Sequence, residues 1–290
     1  MIRLPTRMIL LFVGPALLIY GLLYLLPALA AFALSLGKFD GISPPIWVGL
    51  DNYRELFNLQ GPFFQSLLHN LFLIFVPGIL MLVIALLFAY WIDQGLKGAG
   101  WYRVFFFFPN IVPTAATSIL WLLIFSITDM GLVNSVLRYL GLEPIAFWES
   151  SNVLWTLVPV IVWSGVGFFM ILFLESMSSI PDSLYEAARI DGAGLWSQFI
   201  HVTLPLLRDT IATCWIFIII GGLKAFDLVW IVEKEMPTSA SHTMATLMYS
   251  EAFRQFRIGY GTAMSVILFI IILGVTLLSM RVYRKERLEY

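Results

Sequence analysis

The chain has 290 residues, of which 60% are hydrophobic, 16% aromatic and only 12% charged, with a formal net charge of −1. A soluble domain carries roughly 25% charged residues, so this composition excludes a soluble enzyme. The near-zero net charge gives no electrostatic footprint for nucleic acid. The single cysteine, Cys214, excludes an internal disulfide and any CxxC zinc or redox site.

Five stretches contain no Asp, Glu, Lys or Arg: residues 8–37, 56–92, 104–128, 150–174 and 258–280. A membrane-crossing helix needs about 20 apolar residues, and each stretch is long enough. With one further, less pure segment they predict a single all-α, polytopic membrane domain over 1–290. The expected spans are 8–36, 64–92, 104–126, 152–174, 208–232 and 260–282. The first has the flanks of a signal peptide, with Arg3 and Arg7 before it and Ala28-Leu29-Ala30 near its end. A signal core is only about 7–15 residues, whereas this one runs unbroken from Met8 past Leu25, so it reads as a span.

The fifth span is the least certain by composition, because Lys224 and Asp227 interrupt it. A central Lys or Asp costs roughly 2.5–3.5 kcal/mol, and an aliphatic or Phe residue returns about 0.3–0.6 kcal/mol. The sums nearly cancel, which predicts a helix packed inside a bundle with its charges facing protein or water. Lys and Arg favour cytoplasmic termini, with clusters Arg3 and Arg7 at one end and Arg281, Arg284, Lys285 and Arg287 at the other. Pro15, Pro27, Pro77, Pro109, Pro113 and Pro159 lie in or beside spans. Each removes a backbone donor and bends its helix, as suits a protein that moves something. Trp101, Tyr102, Trp148 and Trp155 read as interfacial anchors.

The connection 175–207 is more than a turn. Ser179 to Gly192 reads as a short helix with Pro181 at its first position, Asp182 at its positive end and Gly192 as its left-handed stop. A second amphipathic turn follows, with Leu195, Trp196, Phe199 and Ile200 expected on one face, and Pro205 is expected to break the chain before the fifth span. The two helices make a cytoplasmic knob. Its Ala187 and Ala188 offer a narrow surface to a partner's groove, and Glu186 either faces that partner or pairs with Arg189.

At this loop a resemblance becomes specific. Glu186-Ala187-Ala188, three residues, Gly192, nine residues, then Val202-Thr203-Leu204-Pro205 is similar to the EAA signature of ABC importer permeases, with Val202 for Ile the one departure. Trp47 to Tyr53 resembles the GLDNY segment of the carbohydrate-uptake branch. Pro109, Pro113, Trp121, Phe125, Gly131 and Asn134 follow that branch's third-span pattern, and Lys224 to Asp227 its fifth-span exit. Many relatives carry Thr-x-Gly-Gly-Pro after that exit, where this chain has Glu233-Lys234-Glu235-Met236-Pro237.

The resemblance implies the type I importer permease fold: six spans, a cytoplasmic coupling helix and a bacterial inner-membrane location. It also implies the first permease subunit of a maltose, glycerol-phosphate or related sugar importer. A second homologous permease would complete a heterodimer, and a periplasmic or lipid-anchored binding protein would deliver substrate. Two ATPase subunits would bind ATP and Mg. This chain would hold no cofactor itself, and it has no GxxxxGK[ST] loop. Tyr185, Glu186, Ala187, Ala188, Asp191, Gly192, Ala193, Leu204 and Pro205 would couple the chain to the ATPases.

For a substrate path, aromatic faces and hydrogen-bonding groups at mid-span depth point to Asn110, Trp163, Gly165, Phe168, Gly222, Lys224 and Asp227. Gly165, Gly167, Gly221 and Gly222 serve either ligand approach or close helix packing. Lys224 and Asp227, three residues apart on one helix face, read first as a mutual ion pair. One evident cation favours a neutral sugar or polyol over a phosphate. An ion-coupled secondary transporter would use that pair as a relay, but six spans without an internal repeat speak against it. A membrane enzyme would need a catalytic cluster that His69, His201 and His242 do not supply.

Overall fold

The computed structural model describes residues 6–284; Arg3, Lys285 and Arg287 lie outside them. Among the described residues the chain is helical apart from one hairpin of two short strands. Four helices are long and apolar enough to cross a membrane: Leu11–Leu34, Pro62–Asp93, Val153–Met177 and Ile258–Ser279. Two bent pairs bring the total to six if each pair is one span.

The first pair carries the bend expected at Pro113, and the fifth span breaks where one helix over 208–232 is expected. Over 104–126 the chain forms Ala99–Ile111 and Thr114–Ile124, at 97° to each other. The ring of Pro113 forces the preceding Val112 out of helical geometry, to φ −70°, ψ 128°. Over 208–232 a helix Arg208–Leu223 ends at Lys224, and a separate one, Asp227–Val232, follows. Sixteen residues reach only about 24 Å, short of a bilayer core.

The chain divides into two units. In the first, residues 1–64 and 247–271, Gly37–Lys38 pairs antiparallel with Ile46–Trp47. Asn52 anchors this hairpin, donating to the carbonyls of Ser35 and Gly37 at 2.9 and 3.0 Å, while the Tyr53 hydroxyl reaches Ser35 Oγ at 2.7 Å. The GLDNY segment therefore closes the end of the first helix. Gly259 sits so tightly beneath the hairpin that a Cβ would lie 2.0 Å from the Gly37 carbonyl oxygen.

The second unit, residues 65–246 and 272–290, contains a buried cluster of Leu73, Val153, Leu157, Val229 and Val232. Close packing explains Gly165, Gly167 and Gly222. A Cβ at Gly167 would lie 1.9 Å from the Phe106 carbonyl oxygen, one at Gly165 2.3 Å from Met81 Sδ, and one at Gly222 2.3 Å from Ile74 Cγ1. Trp101 and Trp155 are exposed. Trp148 is not: it packs against that buried cluster and beside Phe125, with its indole N–H buried and unpartnered.

Candidate functional site: a coupling loop and a membrane cavity

The loop after the fourth span is built by local rules. Pro181 is the N-cap rather than the first helical residue, and its extended backbone (φ −61°, ψ 131°) starts the helix Asp182–Ile190. Asp182 in the first turn and Arg189 in the last complement the helix dipole. At the other end Gly192 takes φ +81°. Its N–H bonds to the Arg189 carbonyl, and that of Ala193 to the Ala188 carbonyl at 2.9 Å. This is the double closure that a glycine one residue past the cap allows.

Three side-chain bonds brace the knob. Gln198 Nε2 donates to the Ala193 carbonyl at 2.8 Å, and the hydroxyls of Tyr185 and Thr203 lie 2.9 Å apart. Burial raises the Tyr185 phenol above its ordinary pKa, so it stays protonated for that bond. From the second span, the Tyr90 hydroxyl donates to the Leu195 carbonyl at 2.8 Å and its ring packs on Phe199. Trp196 stacks on Phe199 with ring centroids 5.3 Å apart, as residues on one face do; Phe199 is buried while Leu195 and Trp196 stay exposed. Pro205 sits within a last helical turn; the 66° bend falls after it, at Leu207, which is fully buried.

Of the nine coupling residues, Glu186, Ala187, Asp191, Gly192 and Pro205 are exposed, and Tyr185, Ala188, Ala193 and Leu204 are partly buried. Ile190, Leu195 and Trp196 extend the surface, with exposures of 86%, 61% and 63%. No ion pair among the described residues involves Glu186; Arg189 instead donates to the Tyr185 carbonyl. A free carboxylate beside two alanines and exposed apolar side chains is a surface shaped to receive another protein.

The residues proposed for a substrate path divide. Asn110, Gly165 and Gly222 line a cavity of about 350 Å³ in the second unit, together with Thr117, Ser164 and Gly221. Among the described residues no ionisable side chain lines it. Trp163 faces a different cavity beside Trp101, and Phe168 packs edge-on against Phe169 and Phe217. Lys224 and Asp227 are exposed and form no ion pair with each other. The helix ends between them, with Phe226 at φ −129°, ψ −66°, so they do not share a helix face.

Sequence reasoning missed Asn70. Fully buried, it donates to the Gly222 carbonyl at 2.6 Å and accepts from the Met244 N–H at 2.7 Å, holding the chain open at the helix break. An amide in the middle of an apolar span was the available signal, since such a group needs a partner. Asn134 was read only as part of a pattern. It is also fully buried, and it ties the carbonyls of Ser126 and Ile145 together. The described residues hold no cluster of three metal-ligating side chains.

A polytopic helical chain with a braced, outward-facing loop is a membrane subunit made to work with others. It belongs to the family of binding-protein-dependent transport system inner membrane components, which matches residues 81–287. The diacetylchitobiose uptake system permease protein NgcF of Streptomyces coelicolor is 34% identical, over 89% of this chain and 76% of its own length. The trehalose/maltose transport system permease protein MalF of Thermococcus litoralis is 30% identical, over 94% and 92%. A chain of a bacterial alginate ABC transporter, solved in complex with a pentasaccharide-bound periplasmic protein, has the same fold. Its TM-score is 0.81 at 20% identity, over 97% of this chain and 96% of that one. The protein is accordingly a multi-pass inner-membrane permease subunit of an ABC importer and not itself an enzyme.

Proposed function

We propose that this chain forms half of the path by which a neutral sugar or polyol, an oligosaccharide, disaccharide or glycoside, enters the cell. The observation that carries the substrate class is the cavity of about 350 Å³ with hydroxyl, amide and backbone groups but no ionisable side chain on its wall. A phosphate there would be buried without a cation, which is strongly unfavourable. Named relatives handle diacetylchitobiose, trehalose and maltose, and arabinooligosaccharides. The exposed Lys224 and Asp227 need a watery or protein-covered neighbour at membrane depth, which a second homologous permease across the path supplies.

In this reading both termini are cytoplasmic, and two ATP-binding subunits, holding ATP and Mg, grip Glu186 through Gly192. Closure of the ATPase pair displaces the braced knob as a unit, and the bend at Leu207 passes that displacement to the fifth helix. A binding protein delivers the sugar from outside. Glu186→Lys tests the coupling: uptake by the assembled importer should fall at least tenfold while the chain remains inserted. Unchanged uptake would refute the docking role. ATPase stimulation by binding protein loaded with diacetylchitobiose, maltose or trehalose tests the substrate class, and response to glycerol phosphate alone would overturn it.

A further inference from the structure

Residues 38–55 and 256–260, all within the first unit, enclose a second cavity of about 380 Å³, large enough for a sugar ring. Import as described above gives it no role. Its wall carries an aromatic ring that the backbone presents at a conformational cost. Phe256 has φ +53°, in the left-handed region that glycine usually occupies, and is 61% exposed. The turn is held from both sides: Gln255 N–H bonds to the Ser250 carbonyl at 3.0 Å and Arg257 N–H to the Glu251 carbonyl at 2.8 Å.

Polar groups with spare capacity surround that ring. Tyr260 lines the cavity at 4% exposure, yet its hydroxyl bonds to none of the described residues. Asn52 spends its amide protons on the Ser35 and Gly37 carbonyls, leaving Oδ1 as an acceptor. The Arg257 guanidinium is fixed by Glu55 and Glu251 and lies 4.3 Å over the Tyr260 ring. Lys38 and Arg257 face Asp40, Asp51 and Glu55 on the wall, a balance that gives an anion no advantage. The exposed Phe256 ring, with fixed donors and acceptors beside it, suits the apolar face and hydroxyl rim of a sugar ring.

We infer that this cavity is an accessory saccharide site that takes one neutral sugar unit of the transported substrate on the extracytoplasmic side. The inference rests on the sugar-import reading. Its test uses the assembled importer in nanodiscs without binding protein. The probe is whichever of diacetylchitobiose, maltose or trehalose the importer transports, observed by saturation-transfer difference NMR.

Phe256→Gly and Tyr260→Phe should each reduce transfer to the sugar ring protons at least threefold. Phe256→Gly relieves the left-handed backbone, so its melting temperature should hold or rise, which separates lost binding from lost folding. Undiminished transfer in both variants overturns the site. If the importer transports a probe that gives no transfer signal on the unaltered complex, the site alone fails. If it transports neither these three nor any other neutral saccharide or polyol, the sugar-import reading fails with it.

Discussion

Two consecutive stretches of this chain reach their shapes by opposite means. In 175–207 the backbone closes on itself: a proline cap, an acidic first turn, a basic last turn and a left-handed glycine all act within a few residues of one another. In 208–246 the helix breaks after Leu223, and what holds it open comes from far along the sequence. Asn70, some 150 residues earlier, takes the Gly222 carbonyl and the Met244 N–H. A local shape can be read from spacing. A shape held by distant partners cannot, because composition says only that a polar residue needs a partner, not which.

Removing the distant support should cost most. Asn70→Ala leaves the Met244 N–H buried and unpaired, worth about 1–3 kcal/mol, and strips a donor from the Gly222 carbonyl, which keeps the Ala225 N–H at 3.2 Å. A loss of about 2–4 kcal/mol is therefore expected in thermal or denaturant unfolding of the purified complex. A loss below about 1 kcal/mol would mean that the break is held by the helices themselves. Next comes Gly167→Ala, whose Cβ would meet the Phe106 backbone at 1.9 Å. Backbone gives way less readily than a side-chain tip, and about 1–3 kcal/mol of destabilisation is expected.

The same contrast explains what the sequence made legible. The apolar stretches, the knob and the stop at Gly192 follow from hydropathy and helix-end chemistry, which act locally. Lys224 and Asp227 were expected to pair because three residues on a continuous helix share a face. The helix is not continuous; Gly221 and Gly222 lie just before the break, but glycine weakens a helix without fixing where it stops, as Pro113 fixes the bend in the third span. The glycines were ambiguous for a related reason. Gly165, Gly167 and Gly222 are held by neighbours a Cβ would strike, whereas Gly221 has open space, and only the packed chain separates these cases.

Two substitutions sharpen the comparison with smaller effects. Gly192→Val places a β-branched residue at φ +81°, costing about 1–2 kcal/mol locally. Co-purification of the ATPase should fall severalfold while the melting of the spans is unchanged; normal recovery would remove Gly192 from the docking geometry. For Lys224 and Asp227, the double variant Lys224→Met, Asp227→Asn should behave as the sum of its parts, with a coupling below about 0.5 kcal/mol. A larger coupling would restore the ion pair.

A further small effect concerns the turn after the broken helix, where the related pattern carries two glycines and this chain has none. Lys234 and Glu235 nevertheless take φ +51° and +66°, held by the Lys234 N–H on the Ile231 carbonyl and the Glu235 N–H on the Trp230 carbonyl. The turn therefore keeps a left-handed backbone without the residue that adopts it most easily. Glu235→Gly should relieve that strain, partly offset by the greater freedom of an unfolded glycine, for a net gain of about 0.5–1 kcal/mol. Thermal unfolding of the complex measures it. A loss instead of a gain would show that the Glu235 side chain contributes more to this turn than its backbone costs.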